Sequence, residues 1–360
     1  MTTRRRNLLV LAALAALALA SLLLSPSQSF DSPLDAVPPS AFLIVTVDVR
    51  PLATSPLGPR LLDLANDAAN VRSVSQRCGF EPLEQVRHIV VAVPEGHETS
   101  EFAVIALGPI DKTAFVSCAQ RLLEERGLKA NIRTRGAFTL VDEARDNMAP
   151  GPVLALRQGG PAVVGRGPWL EEILATLEGK KPLLDLTSPH RKLREGLEGA
   201  VVATAILPEP LRSKLRKQMG AELGAPGANG PMAGVLGVSQ AALAVNVGPS
   251  VTSLALSLRC DSPAACGEVE KLLYRQRFVL SQNIALRLLG LGPLIDSFSA
   301  TTKDTSLSAR TDVPTDKLVD ALGEVLSESR SLSDAGGSSL PHERPTPNRA
   351  PSIDKGASER

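Results

Sequence analysis

Two apolar patterns recur between residues 38 and 328. Short runs rich in β-branched residues, such as Ala41–Val47, predict strands. Stretches with apolar residues three and four positions apart, such as Phe115–Leu122, predict amphipathic helices. Because the strands occur in neighbouring pairs joined by short turns, we expect an α+β fold of antiparallel sheet with helices packed on one face.

The order of these elements occurs twice along the chain. The clearest correspondence sets the strand Phe102–Leu107 and its following helix against the strand Ser253–Leu258 and its following helix. Each strand is joined to its helix by a loop that contains Asp. We therefore predict an internal duplication of two similar α+β units, 38–180 and 190–328, with the boundary near Gly179–Pro182.

The N-terminal segment, residues 1–30, has the pattern of an export signal. Arg4–Arg6 precede the unbroken apolar run Leu8–Leu24, and the basic end of such a segment stays in the cytoplasm. As a helix, the run would span about 25 Å, slightly less than the ~30 Å hydrocarbon core of a bilayer. It is longer than the apolar region of an ordinary signal peptide. Both a signal anchor and a cleaved signal peptide therefore stay open.

Either alternative predicts a bacterial envelope protein. An anchor would leave a periplasmic domain tethered to the inner membrane through the N-terminal segment, whereas cleavage would give a secreted or periplasmic protein. At the other end, residues 329–360 contain Ser, Pro, Gly and charged residues with almost no large apolar side chains, which predicts a disordered tail.

Composition excludes some partners and says little about others. The 39 basic and 38 acidic residues give a net charge of +1, which argues against a nucleic-acid partner. Aromatic residues make up only 3%, fewer than a sugar-binding or base-stacking surface requires.

The four cysteines fit an oxidising compartment. Four cysteines allow three pairings, and their positions favour Cys78–Cys118 and Cys260–Cys266. Unpaired thiols and a metal site are the alternatives, although the ligand clusters typical of zinc sites are absent from the sequence.

No motif assigns a catalytic residue, a metal site or a cofactor. The nucleophile-elbow pattern G-x-S-x-G does not occur, and the four histidines are scattered along the chain. Two weaker features support an alternative, a hydrolase-like envelope enzyme with a carboxylate site. These are Asp48, at the end of the first strand, and the acidic group Asp142, Glu143 and Asp146.

Two segments interrupt the duplication, and insertions on a repeated scaffold frequently carry function. Gly220–Gly237 is rich in Gly, Pro and Ala and predicts a mobile loop, whereas the strongly apolar Phe278–Leu291 predicts a helix. That helix would be either a buried core element or one side of an exposed apolar surface shared with the loop. From the second alternative we predict a non-enzymatic module that binds a protein or an apolar small molecule. Its candidate contact residues are Met232, Val235, Leu236, Ile284 and Leu288.

Overall fold

A computed structural model describes residues 32–61, 63, 71–95, 101–144, 151–222, 231–288, 290 and 292–320. The strands are β1 Ala41–Asp48, β2 His88–Pro94, β3 Ala103–Leu107, β4 Ala130–Arg135, β5 Phe138–Glu143, β6 Val153–Leu156, β7 Ala162–Gly165, β8 Val201–Ile206, β9 Val238–Val247, β10 Val251–Cys260, β11 Ser299–Lys303 and β12 Ser306–Pro314. The helices are α1 Val49–Thr54, α2 Val71–Cys78, α3 Lys112–Glu125, α4 Gly167–Leu177, α5 Pro189–Arg194, α6 Glu209–Glu222, α7 Pro231–Leu236, α8 Pro263–Ser281, α9 Ile284–Leu288 and α10 Gly292–Asp296. A further helical stretch covers 315–320, and Pro33–Ala36 and Pro82–Gln85 are short 3-10 helices.

The described strands form one antiparallel sheet of twelve strands. Their order is β11-β12-β10-β9-β8-β1-β2-β3-β7-β6-β5-β4. The halves of the chain meet where β1 pairs with β8, for example at Thr46 opposite Val202. The predicted α+β class with antiparallel sheet is confirmed, and the division into units 38–180 and 190–328 stays a prediction.

The first half of the sheet buries its apolar side chains under α4. Ile44, Ile105 and Val163 lie on three different strands, point to the same face of the sheet and are fully buried. Trp169 and Ile173 of α4 pack into this core, and the indole N–H of Trp169 donates to the carbonyl oxygen of Ala92 at 3.1 Å. The single tryptophan therefore has a packing role with its polar atom satisfied.

The second half places its long helix on the opposite face of the sheet. Residues alternate between the two faces along a strand. Val202 lies opposite Thr46 and therefore on the same face as Ile44. The register of β10 with β9 and of β9 with β8 places Leu258 on the other face. Leu258, Leu307 and Val269 of α8 form the core there. A small cluster beneath α3, built around Leu156, also lies on the face opposite to Ile105. Helices therefore cover both faces of the continuous sheet.

Both predicted disulfides are confirmed. Cys78 joins Cys118 with their Cα atoms 5.0 Å apart, which ties α2 to α3. Cys260 joins Cys266 with a Cα separation of 5.6 Å, which ties the end of β10 to the first turns of α8. Disulfides of this kind persist in extracytoplasmic compartments, so the pairs favour that location.

Several local predictions need correction. β4 was not predicted, because its sequence is polar and its residues are largely exposed. The apolar stretch Phe278–Leu291 is not one helix: α8 continues to Ser281, and α9 begins separately at Ile284. The predicted loop 220–237 contains the helical residues of α7.

Within the described part of the chain, no helix combines the length and the apolar character needed to cross a bilayer. The predicted signal segment 1–30, the predicted tail 329–360 and residues 223–230 of the predicted loop lie outside the described residues.

Candidate functional site

Five of the exposed large apolar side chains of the described molecule lie close together, at the C-terminal end of α8 and the start of α9. Phe278 is 67% exposed and Ile284 is 73% exposed. We name this surface the apolar tip, and it consists of Tyr274, Phe278, Val279, Leu280 and Ile284. Large apolar side chains grouped in this way on a protein surface are typical of an interaction site.

The first half of α8 is buried against the sheet, whereas apolar side chains near its C-terminal end are exposed. The Ser262 hydroxyl caps the start of α8 by accepting from the amide of Ala265 at 3.2 Å. Cys266 and Val269 are then buried against the sheet. Phe278, Val279 and Leu280 are consecutive, so they point about 100° apart around the helix and cannot all face one core. All three are exposed.

Polar contacts hold the tip in place. The Tyr274 hydroxyl donates to the carbonyl oxygen of Ala300 at 2.9 Å and accepts from the amide of Ala300 at 3.2 Å. The Tyr274 ring meets Phe298 edge-on with 6.0 Å between centroids. Arg277 donates to the carbonyl oxygens of Ile295 and Asp296, each at 3.0 Å. These contacts fix the tip to β11 and α10.

The sequence around the tip is basic, with Arg287 in an ion pair with Asp296 at 3.4 Å and Lys271 in one with Glu268. Residues 271–295 contain no Asp or Glu, while Lys271, Arg275, Arg277 and Arg287 are all cationic. The Lys271 ammonium donates to Glu268 at 2.8 Å, and this hydrogen bond raises the pKa of Lys271. Arg275 is exposed and forms no ion pair with a described residue. Arg287 donates to the carbonyl oxygen of Ser281, the last residue of α8, at 3.0 Å.

The structure separates the predicted contact residues into two groups. Ile284 belongs to the apolar tip. Val235 is 37% exposed and Leu236 is half-buried, and both lie in α7, which crosses the other end of α8 at Glu268. About 15 Å of helix separates Glu268 from Phe278. The side chains of Met232 and Leu288 lie outside the described residues.

The sequence analysis placed Phe278–Leu280 in the apolar segment Phe278–Leu291 but did not select them as contact residues. Tyr274 lies outside that segment and was not considered. The usable signal was the run Phe278–Leu280 itself. Three successive large apolar residues point in different directions around a helix, so they cannot all belong to one buried face, and here Arg277 directly precedes them.

A second, weaker apolar surface lies in the middle of the sheet. On β1, three half-buried residues point to this surface: Leu43, Val45 and Val47. On β9, Leu243 is 42% exposed. Since the side chains of β1 are much less exposed than Phe278 and Ile284, the apolar tip is the stronger candidate.

The carboxylates of the enzymatic alternative are not arranged as a catalytic pair. Asp48 lies opposite His88 in the register of β1 and β2, but no hydrogen bond or ion pair is found between the two described side chains. Asp142 forms an ion pair with Arg133 at 2.6 Å across β4 and β5. Asp146 lies outside the described residues. In the part of the chain that the structure describes, no three His, Cys, Asp or Glu residues converge as metal ligands.

Among the described residues outside the disulfides, the most deeply buried titratable side chain is a structural histidine. His190 of α5 is 2% exposed, and its Nε2 lies 2.9 Å from the carbonyl oxygen of Ala41. Because a carbonyl only accepts, Nε2 carries the proton, and Nδ1 accepts from the Thr204 hydroxyl at 2.8 Å. Burial lowers the pKa of His190, since it penalises the charged ring. The neutral ring thus links α5 to both central strands.

Arg194 completes this polar contact between α5 and the centre of the sheet. Its guanidinium donates to the Thr46 hydroxyl at 2.8 Å, and Thr46 donates to the carbonyl oxygen of Val202 at 3.3 Å. Burial and the neighbouring charge of Arg191 lower the pKa of Arg194. These hydrogen bonds join the two halves of the sheet, so the role of Arg194 is structural.

Comparison with known proteins identifies no family. No family model and no curated protein sequence matches the chain. Among solved structures, crystal form III of TP0453 is 14% identical, covers 81% of this chain and 97% of its own, and has a TM-score of 0.47. Crystal form I of TP0453 is 12% identical, covers 82% and 98%, and has a TM-score of 0.46. A likeness of this size assigns no function.

Proposed function

We propose that this protein is a binding module of the bacterial envelope that acts by contact and not by catalysis. The N-terminal segment 1–30 either anchors it to the inner membrane or exports it. The disulfides Cys78–Cys118 and Cys260–Cys266 suit the periplasmic side of that membrane.

The observation that carries this proposal is the apolar tip. Phe278 and Ile284 expose most of their side chains to solvent. Full burial of each side chain against a partner would contribute a favourable free energy of about 1.5–3 kcal/mol. The contacts of Tyr274 and Arg277 hold the tip in a single position, so it loses little conformational freedom on binding. A rigid apolar surface of this kind favours a partner that covers it.

Contact at the tip can be tested without knowing the partner. The full chain would carry the photo-reactive residue p-benzoylphenylalanine at position 278 and be irradiated in a bacterial envelope. A second chain carrying it at Ile132 is the matched control, because Ile132 is also an exposed apolar residue, 44% exposed, but lies on the opposite edge strand of the sheet. We expect adducts with protein or lipid at position 278 and few at position 132. Equal yields at the two positions would contradict the proposal.

A further inference from the structure

We propose that the partner of the apolar tip is the surface of an anionic lipid bilayer, an inference that rests on the function proposed above. The tip presents exposed aromatic and aliphatic side chains, and the surrounding residues 271–295 contain four cations and no carboxylate. This combination is typical of segments that lie in the membrane interface, where apolar groups enter the acyl boundary and Lys or Arg remain among the phosphates.

The positions of the charges along α8 fit this arrangement. Lys271, Arg275 and Val279 follow at intervals of four residues, so they lie on one side of the helix. Arg275 lies about 5 Å along the axis from Phe278, and Lys271 lies about 11 Å from it. With α8 entering the interface end first, insertion of the tip to a depth of about 5–10 Å would place the two cations level with lipid phosphates.

The shape of the tip also favours a fluid partner. Exposed apolar side chains point in several directions around the last turns of α8, because Phe278, Val279 and Leu280 are successive residues. A single flat face of a rigid protein would not cover all of these side chains at once. Acyl chains and headgroups surround such a surface readily, and the positive charge complements anionic headgroups.

The proposal can be tested with the full chain bound to vesicles. A small environment-sensitive fluorophore is introduced as an unnatural amino acid at position 278. Because the N-terminal segment would keep the protein on the vesicle, the measured quantity is local: quenching of the fluorophore by lipids brominated in their acyl chains. The same fluorophore at Ile132 reports the background. Vesicles of phosphatidylcholine alone are compared with vesicles that also contain phosphatidylglycerol.

We expect quenching at position 278 in vesicles with phosphatidylglycerol, and only background quenching at position 132. Arg275→Gln should lower the ratio of inserted to free tip about fivefold in those vesicles, the effect of one basic residue near an anionic surface. Ile284→Ser should reduce insertion in all vesicles. Arg275 and Ile284 are both exposed, so unchanged urea midpoints will show that the two variants are folded.

Background quenching at position 278 in both kinds of vesicle would overturn the membrane proposal. The proposed binding function would survive that result if the photo-reactive residue at position 278 still formed protein adducts, and would fall with it if it did not. Equal quenching in neutral and anionic vesicles, with no effect of Arg275→Gln, would overturn the assignment of anionic lipid.

Discussion

Helices α4 and α8 both carry large apolar residues, which are buried in α4 and exposed near the end of α8. In α4, Trp169 and Ile173 are buried beneath the first half of the sheet. In α8, burial ends after the first turns, and Phe278 is 67% exposed. Apolar composition alone therefore does not make a helix part of the core. Each residue is buried only if another element, here the sheet, packs against it.

The largest expected difference between the two helices is in stability. Trp169→Ala should lower the free energy of unfolding by about 3–5 kcal/mol, because it leaves a large cavity and removes the indole hydrogen bond to the carbonyl oxygen of Ala92. Phe278→Ala should change it by less than about 0.5 kcal/mol, since the ring is mostly exposed. Urea unfolding of both variants measures the difference. A large loss for Phe278→Ala would mean that the tip is part of the core.

The two disulfides should also contribute unequally. Cys78 and Cys118 are separated by 40 residues and Cys260 and Cys266 by 6. From loop entropy, replacing the first pair with Ala should cost about 4 kcal/mol and the second about 2 kcal/mol. Unfolding of the two double variants under oxidising conditions tests the ranking. The reverse order would show that the second bridge orients α8 in addition to closing a loop.

The packing of α7 on α8 can be tested with two glycines. A Cβ on Gly234 would lie 2.7 Å from the Cβ of Glu268, so Gly234→Ala should cost about 1–3 kcal/mol. Gly267 of α8 is the control, because a Cβ there meets no atom within 4 Å. Gly267→Ala should be neutral or stabilising by up to about 1 kcal/mol. Similar losses in both variants would argue against close packing of the two helices.

The smallest expected effect is a pH dependence at the centre of the sheet. Burial lowers the pKa of His190 below its ordinary value of 6.5, so the unfolded chain binds more protons than the folded one in the interval between the two values. The contribution of the neutral ring is therefore complete above about pH 6.5 and is lost as the pH falls through this interval.

Urea midpoints at pH 7.5 and pH 5 measure this dependence. The groups near the ring include Arg194 and Arg191, and Arg191 forms an ion pair with Asp35. We expect His190→Gln to be less stable than the natural protein at pH 7.5 and to show a smaller loss on acidification. An identical loss in both proteins would assign the acid sensitivity to other groups.

Much of the fold could be predicted because it depends on local patterns. β1 was predicted as Ala41–Val47 and ends at Asp48, and the cysteine pairs were predicted from their positions relative to neighbouring elements. β4 could not be predicted, since an exposed edge strand carries no apolar alternation. The polar contact of His190 with Ala41 joins residues 149 positions apart and leaves no local signal.

The candidate site was predicted in part. Ile284 was selected from its apolar segment and lies in the tip, whereas Val235 was grouped with it although α7 lies near the other end of α8. Sequence distance could not show this, because the separation depends on where the two helices cross.

The sequence by itself determined the export pattern, most of the strands and the apolar content of residues 278–291, since each depends on residues close together in the chain. It also favoured the two cysteine pairs that the structure contains. Only the tertiary structure decided which apolar residues remain exposed. The reason is that burial depends on long-range packing: the sheet supports α8 as far as the contact of Tyr274 with Ala300, and the apolar residues beyond it are left in solvent.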